Sequence, residues 1–335
     1  MAVLSCAVLL STAPGAGADD APYRILERTT LPGNVQWDYL IADGAAQRLY
    51  LTRGDHVDVL ALQSGAIIGS VAGDGVHGVA LAPQLDRGFI SNGRDNTVTV
   101  FTLSTLKVIA RLPTELNPDA IVYDPASQRV FAANGKSGSL TAIDALTNRV
   151  LGSIAIGGKL EFAAVDNRGK LYVNVEDRNQ IAVLDTASLA ITQRFALGNA
   201  CDEPAGLSID LTGNRLYAGC HNMKMAIVDA GSGRILATPP IGRGSDATVY
   251  DAARNLAFSA NGEGTLTVLS GVAPFAVRQV LPTMPGARTM ALDPVTHRIY
   301  LVSSELEPEQ SAATQGPVVR PKRKPGTFTL LTVGP

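Results

Sequence analysis

A pattern that recurs about every forty residues is the feature of this sequence that most restricts its fold. Each copy contains an apolar run, a polar turn that usually opens with an acid, and an apolar–aromatic run. Seven copies align on the residue before the apolar–aromatic run, with spacings of 39, 42, 41, 45, 40 and 43 residues. The aligned residues are Arg48, Arg87, Arg129, Lys170, Arg215, Asn255 and Arg298. This period predicts a chain of small units, each of which packs against its neighbours.

Each copy carries the signals of short β-strands. The runs "LYLT", "VFAAN" and "LYAG" are rich in β-branched and aromatic residues, which favour half-buried strands. The turn "DPASQR" and its equivalents precede these runs, and further apolar runs follow them. Four strands in about forty residues are typical of a propeller blade. We therefore predict an all-β fold, a seven-bladed β-propeller with four antiparallel strands per blade.

The last copy supplies only three strands before the sequence ends. An open ring of sheets would leave strand edges exposed. The segment "YRILERTTLPG", which begins at Tyr23, lies ahead of the first copy and resembles the outer strands of the other copies. We predict that residues 23–32 pair beside "FTLLTV" and close the last blade.

The first twenty residues predict export. An apolar stretch is followed by small residues, and Ala16-Gly17-Ala18 fits a signal-peptidase site. The stretch is too short to span a membrane. We predict a signal peptide at 1–18 and a single propeller domain at 19–335, without a transmembrane segment. The expected location is the periplasm or the outside of the cell, and the expected state is a monomer.

Cysteine usage is consistent with export. Without Cys6, the mature chain keeps Cys201 and Cys220. The repeat alignment places both at the same end of one blade, so that a disulfide between them is geometrically reasonable. The alternative is a pair of buried thiols.

The runs "FISN", "FAAN", "LYVN" and "FSAN", with turns opened by Asp and closed by Arg, resemble the YVTN-repeat seven-bladed propellers, the YncE-like group of exported bacterial proteins. The resemblance extends over essentially the whole mature chain. It implies the fold and leaves the function open, because relatives of that group include lactonases, lyases and binding or scaffold proteins.

In a propeller, the innermost strands of the blades surround a central channel. In each copy, the position five residues before the turn acid, or its equivalent, precedes the innermost strand and therefore faces one mouth of that channel. Crowded acids repel one another, a cost that is tolerated where a cation binds. The fifth copy has Ala205 there, with Glu203 two residues earlier. If the ring is functional, the acids and His77 bind a cation or a cationic group, and Arg288 orients a carboxylate or carbonyl oxygen of the substrate. In the alternative interpretation Arg288 pairs with a neighbouring acid, and part of the ring is structural. The expected ligand-binding residues are Asp38, His77, Asp119, Glu161, Glu203, Asp246 and Arg288.

A second set of loops is expected on the same face, between the second and third strands. Asn92, Asn134 and Asn261 each precede Gly, which assigns them mainly to turn geometry. His297 lies in a turn at the other end and is expected at the surface. The residues of these loops are His56, Asn92, Asn134, Asn174 with Glu176, Cys220 with His221, and Asn261. The candidate metal ligands are Glu161, Asp246, His77, His56 and His221.

Other classes of site are excluded or unsupported. No motif for covalent haem or for nucleotide phosphates is present, and a net charge of −2 argues against nucleic acid as a partner. Residues 305–326 form a proline-rich insertion on the channel face, which we expect to be flexible. It is either a solvated loop or a lid or docking arm.

Two functions fit this sequence. The favoured one is an exported binding or scaffold propeller whose channel mouth holds a small molecule, a protein partner or one divalent metal ion. The alternative is a metal-dependent hydrolase or lyase of the lactonase kind, in which the ion polarises a carbonyl or activates water. Histidine with carboxylates suits zinc or another transition metal, whereas carboxylates with Asn oxygens suit calcium.

Overall fold

The computed structural model describes residues 21–33, 36–307 and 322–335. The predicted signal peptide at 1–18 and residues 308–321 of the predicted insertion lie outside these ranges. Within them, β-strands dominate, and the helical content is three 3-10 turns at Pro83–Leu85, Glu176–Arg178 and Gly198–Ala200. No helix in the described ranges has the length and apolar character needed to cross a membrane.

The strands form five antiparallel sheets of four strands and one sheet of seven. The four-stranded sheets contain β9–β12, β13–β16, β17–β20, β21–β24, and β25–β27 with β1, and the larger sheet contains β2–β8. The strands are β1 (Arg24–Thr30), β2 (Leu40–Asp43), β3 (Arg48–Thr52), β4 (Gly54–Ala61), β5 (Ile67–Ala82), β6 (Arg87–Asn92), β7 (Thr97–Thr102), β8 (Val108–Pro113), β9 (Pro118–Asp124), β10 (Arg129–Asn134), β11 (Ser139–Asp144), β12 (Arg149–Ala155), β13 (Leu160–Val165), β14 (Lys170–Val175), β15 (Gln180–Asp185), β16 (Ile191–Ala196), β17 (Pro204–Asp210), β18 (Arg215–Cys220), β19 (Lys224–Asp229), β20 (Ile235–Ala237), β21 (Ser245–Asp251), β22 (Leu256–Asn261), β23 (Thr265–Ser270), β24 (Val277–Pro282), β25 (Met290–Asp293), β26 (Arg298–Ser303) and β27 (Thr329–Gly334).

The seven-stranded sheet departs from the prediction of four strands per blade. Strand β5 runs without interruption from the outer edge of the first repeat into the innermost position of the second. Val76 pairs with Gly54 on one side and with Asn92 on the other. Because the backbone stays hydrogen-bonded across the connection, the first two repeats share one sheet.

The innermost strands contact one another in a closed circle. The order of contacts is β2, β5, β9, β13, β17, β21, β25 and back to β2. Side chains from all these strands line one central cavity of about 440 Å³. The circle therefore surrounds a channel, and its loops meet at the two ends.

The N-terminal strand closes the last sheet, as predicted. Strand β1 pairs antiparallel with β27 from Arg24 opposite Gly334 to Thr30 opposite Thr329. Tyr23 is buried, its ring lies 5.0 Å from that of Phe258, and its backbone exchanges hydrogen bonds with the side chain of Gln279. The start of the domain is thus fixed to two neighbouring repeats.

The recurring turn has a common geometry that explains its sequence. The opening Asp accepts hydrogen bonds from turn amides, as Asp124 does from Ala126 and Ser127. The fifth residue of the turn has a positive φ, for example 55° at Gln128 and 52° at Asn214, a conformation that Asn tolerates. Asn255, with a φ of 51°, occupies this position. The alignment of the sixth copy on Asn255 was therefore wrong by one residue, and Leu256 begins its strand.

His297 is another correction. The sequence predicted a surface histidine, yet its ring is half-buried and its Nδ1 lies 2.8 Å from Oδ2 of the buried Asp251. Asp251 opens the turn of the preceding repeat and accepts from Ala253 as well. His297 thus links two neighbouring repeats.

Candidate functional site

The ring of ionisable residues lies at one mouth of the channel, where the chain enters the innermost strands. Each of these residues occupies the equivalent position in a different repeat. Because the innermost strands form a closed circle, the equivalent positions form a ring. The members are Asp38, two residues before β2; His77 in β5; Asp119 in β9; Glu161 in β13; Asp246 in β21; and Arg288, two residues before β25.

His77 contacts carboxylates from the two neighbouring repeats. Its Nδ1 lies 2.6 Å from Oδ2 of Asp38 and 3.9 Å from Oδ1 of Asp119. Burial opposes the charged imidazolium, but the hydrogen bond with Asp38 and the charge of Asp119 outweigh this cost and raise the pKa of His77. One potential ligand atom from each residue lies within 4.8 Å of the others. Ligand atoms around a tetrahedral zinc ion lie about 3.4 Å apart, since each is about 2.1 Å from the metal, so coordination requires these three side chains to move closer together.

Two carboxyl groups of the ring are held in an environment that favours the neutral form. Burial raises the pKa of Asp119 to about 7, with His77 opposing the shift and Asp38 adding to it. Burial and then the charge of Asp119 raise the pKa of Glu161 to about 8, although Lys159 opposes this. Oδ1 of Asp119 is buried without a hydrogen-bond partner. A bound cation would relieve both the desolvation and the repulsion.

Lys159 is a member of the site that the repeat alignment missed. Its Nζ lies 2.9 Å from Oε1 of Glu161 and also contacts Oε2 of Glu176. These carboxylates outweigh the effect of burial and raise the pKa of Lys159. Lys159 and Glu161 are two residues apart at the start of β13, so their side chains share a face of the strand. That spacing of opposite charges was the available signal.

Arg288 pairs with a carboxylate of the ring. Its Nε lies 2.8 Å from Oδ2 of Asp246. Burial still raises the pKa of Asp246, with Arg288 opposing the shift. Arg288 therefore pairs with an acid of the ring, as the alternative interpretation predicts. Neither Asp246 nor Arg288 belongs to the set of Asp38, His77 and Asp119.

A pair of aromatic side chains lies between the ionisable ring and the apolar channel. Tyr39 follows Asp38, Phe162 follows Glu161, and their rings meet edge to face with centroids 4.6 Å apart. Burial, followed by the charges of Asp119 and Asp38, raises the pKa of Tyr39 well above its usual range. Both rings line the apolar cavity of about 440 Å³. The molecule thus has a charged mouth and an apolar interior along one axis.

A larger cavity opens beside the mouth. Its volume is about 630 Å³, within the range of small-molecule sites. Both ends of the predicted insertion contribute to its wall, through Glu307 on one side and Lys322 and Arg323 on the other. The lining residues are Gln36, Trp37, Asp38, Gly54, Gly75, Val76, His77, Arg288, Thr289, Glu307, Lys322 and Arg323.

A second group of charges lies beside the ring, on the fourth and fifth repeats. Glu203, predicted to replace Ala205 in the ring, instead pairs with His221, with 2.7 Å between Oε2 and Nδ1. Together with the buried Glu176 they form a second set of three potential ligands within 4.8 Å. Both Glu203 and His221 are exposed, and this group does not include His77.

The predicted disulfide is confirmed and lies beside this second group. Cys201 and Cys220 are bonded, with their Cα atoms 5.2 Å apart. Both are buried. The bond ties the loop that carries Glu203 to the end of the strand that precedes His221, and so holds the two side chains together.

The remaining predicted loop residues serve the fold or lie apart. The amide groups of Asn92, Asn134 and Asn261 are buried and donate to Thr or Ser hydroxyls across the hairpin that follows, which agrees with a structural role. Asn174 donates to the carbonyls of Ala205 and Gly206 in the next repeat.

His56 interacts with acids of its own strand. Its Nδ1 lies 2.5 Å from Oδ1 of Asp55 and its Nε2 lies 3.3 Å from Oδ1 of Asp58. In the described part of the chain it belongs to neither set of three potential metal ligands. The five candidate metal ligands therefore do not form one coordination group: His77 lies in one set, His221 in the other, and Glu161, Asp246 and His56 in neither.

Comparisons with known proteins support the fold alone. No known family profile matches the sequence, and no curated protein matches it. Among solved structures, the chain is similar to U3-55K, a WD40 β-propeller, with a TM-score of 0.75 and 9% identity. That similarity covers 95% of this chain and 99% of the other. The protein has a β-propeller fold.

Proposed function

We propose that this protein is an exported, YncE-like seven-bladed propeller that binds a small ligand and a divalent cation at its channel mouth. The blade count is supported by the closed circle of seven innermost strands. Export to the periplasm or the medium is supported by the Cys201–Cys220 bond, because disulfides persist in oxidising compartments.

The observation that carries the binding function is the group formed by Asp38, His77 and Asp119. These residues come from three repeats, and their ligand atoms lie within 4.8 Å of one another. Asp119 keeps a buried oxygen without a hydrogen-bond partner. One imidazole and two carboxylates suit zinc or manganese better than calcium, which prefers six to eight oxygen ligands.

A small molecule fits the mouth better than a protein partner does. Asp38 and His77 line a concave cavity of about 630 Å³, and concave sites of this size are typical of small ligands. Three protein ligands leave a coordination position open. A donor atom of the ligand would complete the coordination of the cation from the cavity side.

Calorimetry with metal ions tests this function. Protein treated with EDTA and dialysed is titrated with Zn²⁺, Mn²⁺ and Ca²⁺, and the double variant Asp38→Asn with Asp119→Asn is compared with the exposed control Asp202→Asn. We expect one binding event in the wild type and the control, with zinc or manganese preferred, and none in the double variant. Equal heats in all three proteins would contradict the site.

Hydrolysis or lyase chemistry is the second candidate function. The observation that favours it is the carboxyl group of Glu161, which lies beside the cation site and whose pKa is raised to about 8 by burial and by the charge of Asp119. A general base works best when its pKa lies near the working pH, and an open metal position can activate water. A screen of lactone and ester substrates on zinc-loaded protein, with Glu161→Gln as the comparison, tests this function.

A further inference from the structure

A group of positive charges lies in the same cavity as the cation site. Arg288, Lys322 and Arg323 all line it, opposite in sign to Asp38. Burial and then the charge of Arg288 lower the pKa of Arg323, and like charges that line one cavity repel each other. Such repulsion is relieved when an anion binds between the charges.

The side chain of Arg323 is held in place by an aromatic stack. Its guanidinium lies 3.9 Å from the centre of the Trp37 ring, which lies 5.2 Å from the ring of Phe328. The buried Arg53 covers Phe328, 4.3 Å from its centroid, and pairs with Asp58. The stack fixes the guanidinium at the cavity wall before any ligand binds.

The backbone of Arg323 is also anchored. It bridges to Leu306, and the neighbouring residues exchange hydrogen bonds from Glu307 N to Lys322 O and from Lys324 N to Glu305 O, each 2.8 Å. The described ends of the predicted insertion thus form a short two-stranded ribbon at the mouth.

The charge of Arg323 is not neutralised within the described part of the chain. There, its guanidinium donates to the hydroxyl of Ser304 at 3.3 Å and forms no ion pair. Arg288, by contrast, is bound by Asp246 through Nε. The guanidinium of Arg323 is therefore preorganised and half-buried, and among the described residues it has no carboxylate of its own.

We propose that Arg323, with Arg288 and Lys322, binds the anionic group of the small ligand that enters this cavity. The inference rests on the proposed binding function and names the ligand class: an organic acid or a phosphorylated compound, whose carboxylate or phosphate meets the arginines. Guanidinium groups bind both kinds of oxyanion through paired hydrogen bonds. The anionic group lies on the insertion side of the cavity, and a second donor atom of the ligand faces the cation site.

Tryptophan fluorescence reports directly on this cavity, because Trp37 is the single tryptophan of the sequence and lines it. The full protein in EDTA is titrated with succinate, with inorganic phosphate and with the neutral analogue succinamide, at constant ionic strength. We expect a saturable change with succinate or phosphate and none with succinamide; whichever anion binds more tightly identifies the source of the oxyanion. A response that fails to saturate, or an equal response to succinamide, would overturn the inference.

Substitutions of single residues test which side chains bind the anion. Arg323→Gln is expected to weaken binding at least tenfold, whereas Lys324→Gln, in the same ribbon but outside the cavity lining, is expected to bind as the wild type does. Arg288→Gln gives a second test in case Arg323→Gln does not fold, as judged by circular dichroism. Unchanged affinity in a folded Arg323→Gln or Arg288→Gln protein would overturn the inference.

Repeating the fluorescence titration with zinc in place of EDTA tests the anion site and the cation site separately. Anion binding in EDTA that depends on Arg323, together with no zinc binding by calorimetry, would leave the anion site standing and overturn the cation site. Anion binding that requires zinc and is unchanged in Arg323→Gln would support the cation site and overturn the role of Arg323.

Discussion

The ammonium group of Lys159 lies 2.9 Å from a carboxylate oxygen of Glu161, and yet the pKa of Glu161 is raised to about 8. Burial and the charge of Asp119 together outweigh the ion pair. Lys159 is exposed and shares its charge with Glu176, which weakens the compensation. The mouth of the channel therefore carries an electrostatic cost in the free protein.

The first prediction follows from this cost and concerns Glu161→Gln. The pKa of Glu161 in the folded state lies above the value of about 4.3 expected in the unfolded chain, so the folded state binds more protons between these values. The free energy of unfolding should then fall as the pH rises from about 4.5 through 8. In thermal melts in EDTA, we expect Glu161→Gln to be more stable than the wild type at pH 9, by about 1–3 kcal/mol, and to lose this advantage at pH 4.5.

The exposed Glu115→Gln is the matched control, and we expect its stability to follow that of the wild type across the pH range. An advantage of Glu161→Gln that is the same at every pH would show that packing, and not ionisation, is responsible.

The repeats made most of the fold predictable. Six of the seven aligned residues begin the second strand of their unit, as Arg48 begins β3 and Arg298 begins β26. The alignment failed at Asn255, because Asn fits both the positive φ of the turn and the polar position after it. It also missed the continuous strand β5, since "AGDGVHG" has the glycines of a turn and the hydrogen bonding that continues through it depends on neighbouring strands.

The site was only partly predictable. Equivalence between repeats correctly brought His77 next to Asp38 and Asp119, because the backbone of a ring sets these positions. It could not show which charges pair within one repeat, so the roles of Lys159 and of Glu203 with His221 were missed. Arg323 comes from the insertion, which has no equivalent in the other repeats, and its stacking on Trp37 joins residues from opposite ends of the chain.

The second prediction concerns zinc and pH. Metal ligands must lose their protons to bind, and the pKa values of His77 and Asp119 are both raised. We therefore expect saturating zinc to raise the melting temperature at pH 7.5 and to have little effect at pH 5.5. His77→Gln should remove the effect at pH 7.5, whereas His56→Gln should keep it. A zinc effect that persists in His77→Gln would place the ion elsewhere.

The third prediction concerns the disulfide. Replacing both Cys201 and Cys220 by Ala removes a bond that closes a loop with a sequence separation of 19 residues, and we expect the free energy of unfolding to fall by about 3 kcal/mol. Reduction of the wild type should lower its stability in denaturant titrations by a similar amount and leave the double variant unaffected. Equal sensitivity of both proteins to the reductant would argue against this assignment.

The last prediction concerns closure of the ring by β1. A chain that begins at Gly33 lacks the strand that pairs with β27, and it also lacks Tyr23 and Leu31, which are both buried. Burial of two such side chains contributes roughly 3–6 kcal/mol, and the exposed edge of β27 adds a template for pairing between molecules. We expect this chain to melt at a markedly lower temperature in one cooperative transition and to aggregate, whereas a chain that begins at Ala21 keeps the stability of the mature protein. Equal melting temperatures for the two chains would show that β1 does not hold the ring closed.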